Sequence, residues 1–175
     1  GTILVVDEAY REFDADGDDA IDDLLDDHPN VVVTRTLSKA QGLAGLRIGY
    51  GVGHPAVIAD IDKVALPFAV NALAQAAALA ALDHPGEIAE RVGRVVSERL
   101  RVESALRDGG WDLPDHRGNF VWLSTGSRTS TIALDLERAG VVVRPFAEEG
   151  IRVTIGSVAE NDRFLAALAD VSPDG

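Results

Sequence analysis

Apolar residues come in two textures along this chain. Through about residue 107 they fall in short unbroken runs or at helical spacing, and beyond that point in short strands set around single helices. Residues 2–6, Thr-Ile-Leu-Val-Val, form a β-rich run without alternation, which predicts a parallel strand covered on both faces. Residues 31–34, Val-Val-Val-Thr, predict a second buried strand, and a helix between the two fits a right-handed crossover. A third, glycine-rich strand is expected over 47–52, with Gly42 and Gly45 permitting a tight return into it.

Pro55 opens a short helix over 55–62, and Pro67-Phe68 interrupts the pattern. Residues 64–82 carry no charge, but Pro67, Asn71, Gln75 and many alanines argue for a buried spine helix over 71–82 and against a membrane span. An amphipathic helix follows over 87–107, ended by Gly109-Gly110. The pattern then predicts a strand at 120–123, a helix at 129–139 stopped by Gly140, strands at 141–144 and 151–155, and a closing helix at 159–169. This order suits a small α+β layer with an antiparallel sheet. The domain boundary falls along the long helix, dividing the chain into residues 1–85 and 86–175.

The net charge of -13 argues against nucleic acid and anionic membranes as partners. Much of it is local, since residues 14–27 hold eight aspartates and no base. Asp14, Asp16 and Asp18 alternate as in a calcium loop, but the twelfth position is Leu25 where such a loop needs glutamate, so the run reads as a solvated face. No cysteine is present, which excludes disulfides, thiol nucleophiles and zinc-thiolate sites and is compatible with a reducing cytoplasm. His28, His54, His84 and His116 are scattered in turn-like contexts and give no metal site. Trp111 and Trp122 read as core or domain-contact residues. No signal peptide is visible, and the lack of any methionine leads us to expect a chain cut from a longer product.

Lys39 is one of two lysines and sits in small, apolar and hydroxylated surroundings, Thr36-Leu37-Ser38-Lys39-Ala40-Gln41-Gly42-Leu43-Ala44-Gly45-Leu46-Arg47. An amine so placed is partly withdrawn from water, a setting that suits a nucleophile. Asp7 ends the first strand, at the edge where open α/β sheets bind ligands. A strand-end aspartate also serves as a cap or turn former, and an isolated Arg152 reads as a strand-edge surface residue.

Together these segments resemble the fold type I pyridoxal-phosphate aminotransferases, specifically the histidinol-phosphate and aromatic (phenylalanine) aminotransferase group. Asp7-Glu8-Ala9-Tyr10 is similar to that family's Asp-Glu-Ala-Tyr motif, and Thr36 to Arg47 to its lysine motif. Val143-Arg144-Pro145-Phe146 and Gly150-Ile151-Arg152-Val153-Thr154 resemble its substrate-arginine region. The resemblance implies a cytoplasmic, homodimeric enzyme of amino-acid biosynthesis. It would transfer an amino group between glutamate/2-oxoglutarate and an aromatic amino acid or histidinol phosphate. By resemblance, Lys39 is the Schiff-base lysine and proton shuttle, Asp7 pairs with the pyridinium, and Tyr10 bonds the phenolic oxygen. Thr36, Ser38 and Arg47 would hold the phosphate, and Arg152, assisted by Arg144, the substrate's anionic end. The implied architecture is α/β, a remnant of the three-layer α/β/α large domain followed by a small α+β carboxyl-terminal domain. The match covers only the carboxyl-terminal half of the family's length, so the chain alone is expected to show little or no activity and to associate tightly or keep a partner segment. A lyase or decarboxylase on the same fold, or a non-catalytic regulatory domain, are the rival readings.

Overall fold

Three consecutive valines, Val31, Val32 and Val33, are exposed by only 2%, 4% and 0% and anchor the first of two sheets. In the computed structural model, which describes residues 1–14, 17–169 and 171–173, the chain divides into two units, Gly1–Val92 and Gly93–Gly175. Asp16 of the acidic run lies outside the described residues.

In the first unit, β2 (Val31–Thr36) is the middle strand, flanked by β1 (Leu4–Asp7) in parallel and β3 (Gly49–Gly53) in antiparallel pairing. The connection from β1 to β2 contains a short helix, α1 (Ala20–Leu24), capped by the Asp19 carboxylate, which accepts the Ile21 N–H. Ala20, Val31 and Val33 form the buried centre, with Val6, Ile21, Leu24 and Leu25 packed against it. The expectation that β1 is covered on both faces is corrected. Leu4 and Val5 are 52% and 58% exposed, because β1 is the edge strand of a three-stranded sheet. Strand β3 also starts two residues later than the pattern suggests, because Arg47 has a left-handed φ of 56° that extended pairing cannot use. Gly49 then lies so close to β2 that a Cβ there would sit 2.6 Å from the Arg35 carbonyl oxygen.

Helix α2 (Pro55–Asp62) begins with proline at its first turn, as the sequence suggests, and His54 caps it by accepting the Ala56 N–H. Helix α3 (Ala72–Leu82) is capped by Asn71. It is not the buried spine expected. Ala74 and Ala78 are buried, but Leu73, Leu79 and Leu82 are exposed, as are Leu66 and, at 99%, Phe68 in the segment before it. The alanine stripe packs on the unit while the leucine stripe faces outward. Helix α4 (Pro85–Asp108) contains the point at which the chain divides. No helix among the described residues is long and apolar enough to cross a membrane.

The second unit is an antiparallel sheet in the order β4 (Phe120–Ser124), β6 (Gly150–Thr154), β5 (Arg144–Phe146). Alternation places Val121, Leu123, Ile151 and Val153 inward. There they meet Val102 and Leu106 of α4, Ile132 and Leu136 of α5 (Thr129–Arg138), and Phe164 and Leu168 of α6 (Val158–Leu168). Ser157 and Glu160 close a capping box at the start of α6. The strand expected at 141–144 is corrected to Arg144–Phe146. Gly140, at φ 80°, ends α5, and the N–H groups of Gly140 and Val141 return to the carbonyls of Glu137 and Leu136, so Val141 belongs to the helix exit. Pro145 is tolerated because β5 is an edge strand.

Candidate active site

The carboxyl ends of β1 and β2 come together in register, Asp7 opposite Thr34, and the chain beyond each strand carries the candidate chemistry. After Thr36, buried Leu37 and Ala40 grip the core and leave Ser38 and Lys39 between them half-buried. The Thr36 hydroxyl accepts the Ser38 N–H at 3.1 Å, fixing the first turn out of the strand. Leu43 N–H returns to the Leu37 carbonyl, and Gly42, at φ 73°, makes the reversal possible. Beyond β1, Asp7 accepts the Ala9 N–H at 3.1 Å, which turns the chain so that the Tyr10 ring lies 5.0 Å from Lys39 Nζ.

Asp7, Thr36, Ser38, Lys39 and Arg47 line one cleft of about 750 Å³, with Tyr50 and Ile58 also on its wall. Arg47 is exposed, and one Nη donates to the Ala44 carbonyl at 2.8 Å, which leaves the rest of the guanidinium fork for a ligand. All six candidate residues of the first unit are thus gathered in one place: five line the cleft, and the sixth, Tyr10, lies against one of them, Lys39.

Two clamps absent from the motif reading hold this arrangement. Arg35 donates through Nε and Nη2 to Glu8 at 2.8 and 2.6 Å, and through Nη2 to Asp19 at 2.6 Å. The second Glu8 oxygen accepts the Ala20 N–H at 2.9 Å. Burial works against the charge on Arg35, but the hydrogen bonds to Glu8, Tyr50 and Asp19 outweigh it and push its pKa further up. Burial likewise opposes ionisation of Asp19, and the Ile21 N–H and Arg35 overcome it and hold the carboxyl below its usual range. The second clamp joins Gln41, two residues after the lysine, to Glu12 at 3.1 Å. The sequence signal for the first clamp was an arginine two residues beyond a buried valine run, still within the same strand.

Arg144 and Arg152 lie in the second unit and are brought together there, directly opposite one another on β5 and β6. Trp122 is the partner of Arg152 on its other side. Each guanidinium lies 5.4 Å from a phenylalanine ring centre, Phe146 for Arg144 and Phe120 for Arg152. Trp122 meets Phe146 edge-on at 5.4 Å. Neither arginine has a carboxylate partner among the described residues, so the face presents two cations on an aromatic bed.

The family model for aminotransferase class I and II matches residues 1–168. The chain belongs to the class I and II aminotransferases. It is 51% identical over 170 residues to the aromatic amino acid aminotransferase of Mycolicibacterium paratuberculosis, covering 96% of this chain and 48% of that protein. The Streptomyces coelicolor aromatic amino acid aminotransferase is 52% identical over 165 residues, covering 93% and 46%. Among solved structures, the histidinol-phosphate aminotransferase of Sinorhizobium meliloti, in complex with pyridoxal-5'-phosphate, matches 97% of this chain and 48% of its own. The TM-score is 0.84 at 34% identity. The fold is that of these pyridoxal-phosphate aminotransferases, and the chain spans about half the length of the curated relatives it matches.

Proposed function

We propose that this chain forms part of an aminotransferase that uses pyridoxal 5'-phosphate to move an amino group between glutamate/2-oxoglutarate and an aromatic amino acid. The observation that carries the reading is the cleft itself, where an amine, a carboxylate, two hydroxyls and a guanidinium converge from two sequence motifs. That donor set fits the cofactor group by group. Asp7 would hold a proton at the pyridine nitrogen, Tyr10 would bond the phenolic oxygen, and Thr36, Ser38 and Arg47 would grip the phosphate. When bound, the cofactor supplies an electron sink that stabilises charge at the substrate's α-carbon. Lys39 would hold the cofactor through Nζ, and the same amine would carry the α-proton. Arg152 binds the substrate carboxylate, with Arg144 beside it.

Names of relatives near half identity favour aromatic substrates over histidinol phosphate, whose named representative is more distant. The same proposal includes a homodimer. The exposed Leu66, Phe68, Leu73 and Leu79 need cover, which we assign to the remaining half of the family's length and to a second subunit. To test the activity, the chain is joined to the remaining half of the Streptomyces coelicolor relative and supplied with ¹⁵N-glutamate and phenylpyruvate. The reading expects ¹⁵N in phenylalanine and its loss in Lys39→Ala. Carbon dioxide release without ¹⁵N transfer would assign a decarboxylase instead.

A further inference from the structure

His116 is buried in the second unit, 8% exposed, and both of its ring nitrogens are engaged. Nε2 lies 2.8 Å from the backbone nitrogen of Trp122, and Nδ1 lies 3.1 Å from Glu103 Oε1. A backbone N–H can only donate, so Nε2 must be a bare acceptor. The ring proton then sits on Nδ1 and donates to Glu103. Only one tautomer of the neutral ring meets both demands, since protonation at Nε2 would set a donor against a donor.

The Trp122 N–H is at the outer edge of the sheet. Ladder bonds run from Ile155 N–H to the Asn119 carbonyl and from Thr125 N–H to the Glu149 carbonyl. Alternation between them makes Trp122 and Arg152 a non-hydrogen-bonded pair, in which side chains approach most closely. The Trp122 N–H therefore points away from β6, where an edge strand has no partner, and the imidazole takes it. Helix α4 fixes that imidazole. Arg99, itself 5% exposed, donates to the Gly118 carbonyl at 2.7 Å and lies 3.6 Å from Glu103, while Arg107 reaches Glu103 at 3.4 Å. The ring also meets Phe120 edge-on, the residue on which Arg152 stacks.

We propose that His116 is a positioning residue for Arg152, acting through Trp122 and Phe120 as a latch that is closed only while the ring is neutral. In its role toward substrate this rests on the reading of Arg152 as the substrate-anion residue; the latch itself does not. Among the described residues, the charged groups that act on the ring most are on α4: Glu103, which favours protonation, and Arg99 and Arg107, which oppose it. Burial is the largest influence and holds the imidazole below the usual histidine range, consistent with a ring kept neutral by its surroundings. Protonation frees the β4 edge and loosens the closest neighbour of Arg152.

The test is nitrogen-15 NMR on the full 175-residue chain between pH 7.5 and 4.5, following the His116 ring and the Trp122 and Arg152 backbone amides. At the upper pH the ring should show a proton on Nδ1 and a bare Nε2. As pH falls, both amides should shift with the ring's midpoint, and Trp122 should lose roughly tenfold in exchange protection, the worth of about one hydrogen bond. His116→Gln, which keeps an acceptor at the ε position and cannot titrate, should abolish the step. A proton on Nε2 at neutral pH, amides that ignore the ring's titration, or an unchanged step in the glutamine variant would each overturn the latch. Should the variant fail to fold, the wild-type tautomer decides. Failure of Lys39 to take up the cofactor would remove the enzymatic reading and leave this titration as it stands.

Discussion

Lys39 Nζ stands 5.0 Å from the centre of the Tyr10 ring, although the two residues follow different strands. This contact joins the two halves of the candidate site and orients the amine before any ligand arrives. A partly exposed ammonium over a ring is stabilised by about 0.5–1 kcal/mol. With only two lysines, selective labelling of lysine ε-carbons gives a two-line spectrum. The Lys39 line should be displaced upfield by the ring in the wild type and in Tyr10→Phe, and should move to the position of exposed Lys63 in Tyr10→Ala.

Arg35 should be the residue whose loss is felt most widely in the first unit. Its partner Glu8 has a side chain only 9% exposed, and removing the arginine leaves that carboxylate largely out of water. Arg35→Ala is expected to cost about 3 kcal/mol. Hydrogen exchange at β1 and β2 amides under increasing urea measures it. Arg35→Lys, which keeps the charge but not the fork, should fall between. A loss below about 0.5 kcal/mol would place the pair among ordinary surface ion pairs.

Asp19 ties that network to pH. Its folded-state pKa is depressed, so the unfolded chain takes up the proton first as pH falls. The stabilisation is fully present above the ordinary aspartate value of about 4 and is lost as pH drops through the folded value. Urea midpoints of the α1–β2 amides should therefore decline more steeply below pH 4 in the wild type than in Asp19→Asn. Parallel curves would show that Asp19 contributes nothing to acid lability.

Much of this was legible from residue order. The valine run, the Asp-Glu-Ala-Tyr and lysine segments and the paired arginines all occupy the elements their patterns suggest. What was not legible depends on contacts distant in sequence or on what covers an element. An apolar run without alternation reads as a buried strand, yet Leu4 and Val5 lie on an edge with open faces. The same holds for the leucines of α3. Val141 to Val143 reads as a strand on propensity, but the exit of α5 captures Val141 first and delays β5 to Arg144. His116 in a turn-like sequence gave no hint of Glu103 on α4 or of the Trp122 amide, because neither partner is set by local pattern.

The central claim is that Lys39 is the cofactor lysine, and the chain's second lysine provides an internal control. Lys63 is exposed and paired with the equally exposed Asp60 on the surface, whereas Lys39 lines a cleft together with Asp7, Thr36, Ser38 and Arg47. Incubation of the 175-residue chain with pyridoxal 5'-phosphate, reduction with borohydride and peptide mass spectrometry reads the two sites side by side. The account predicts label concentrated on Lys39, and its collapse in Asp7→Ala and Arg47→Ala at unchanged Lys63 labelling. Equal label on both lysines, or label on Lys63 and the amino terminus alone, would contradict it.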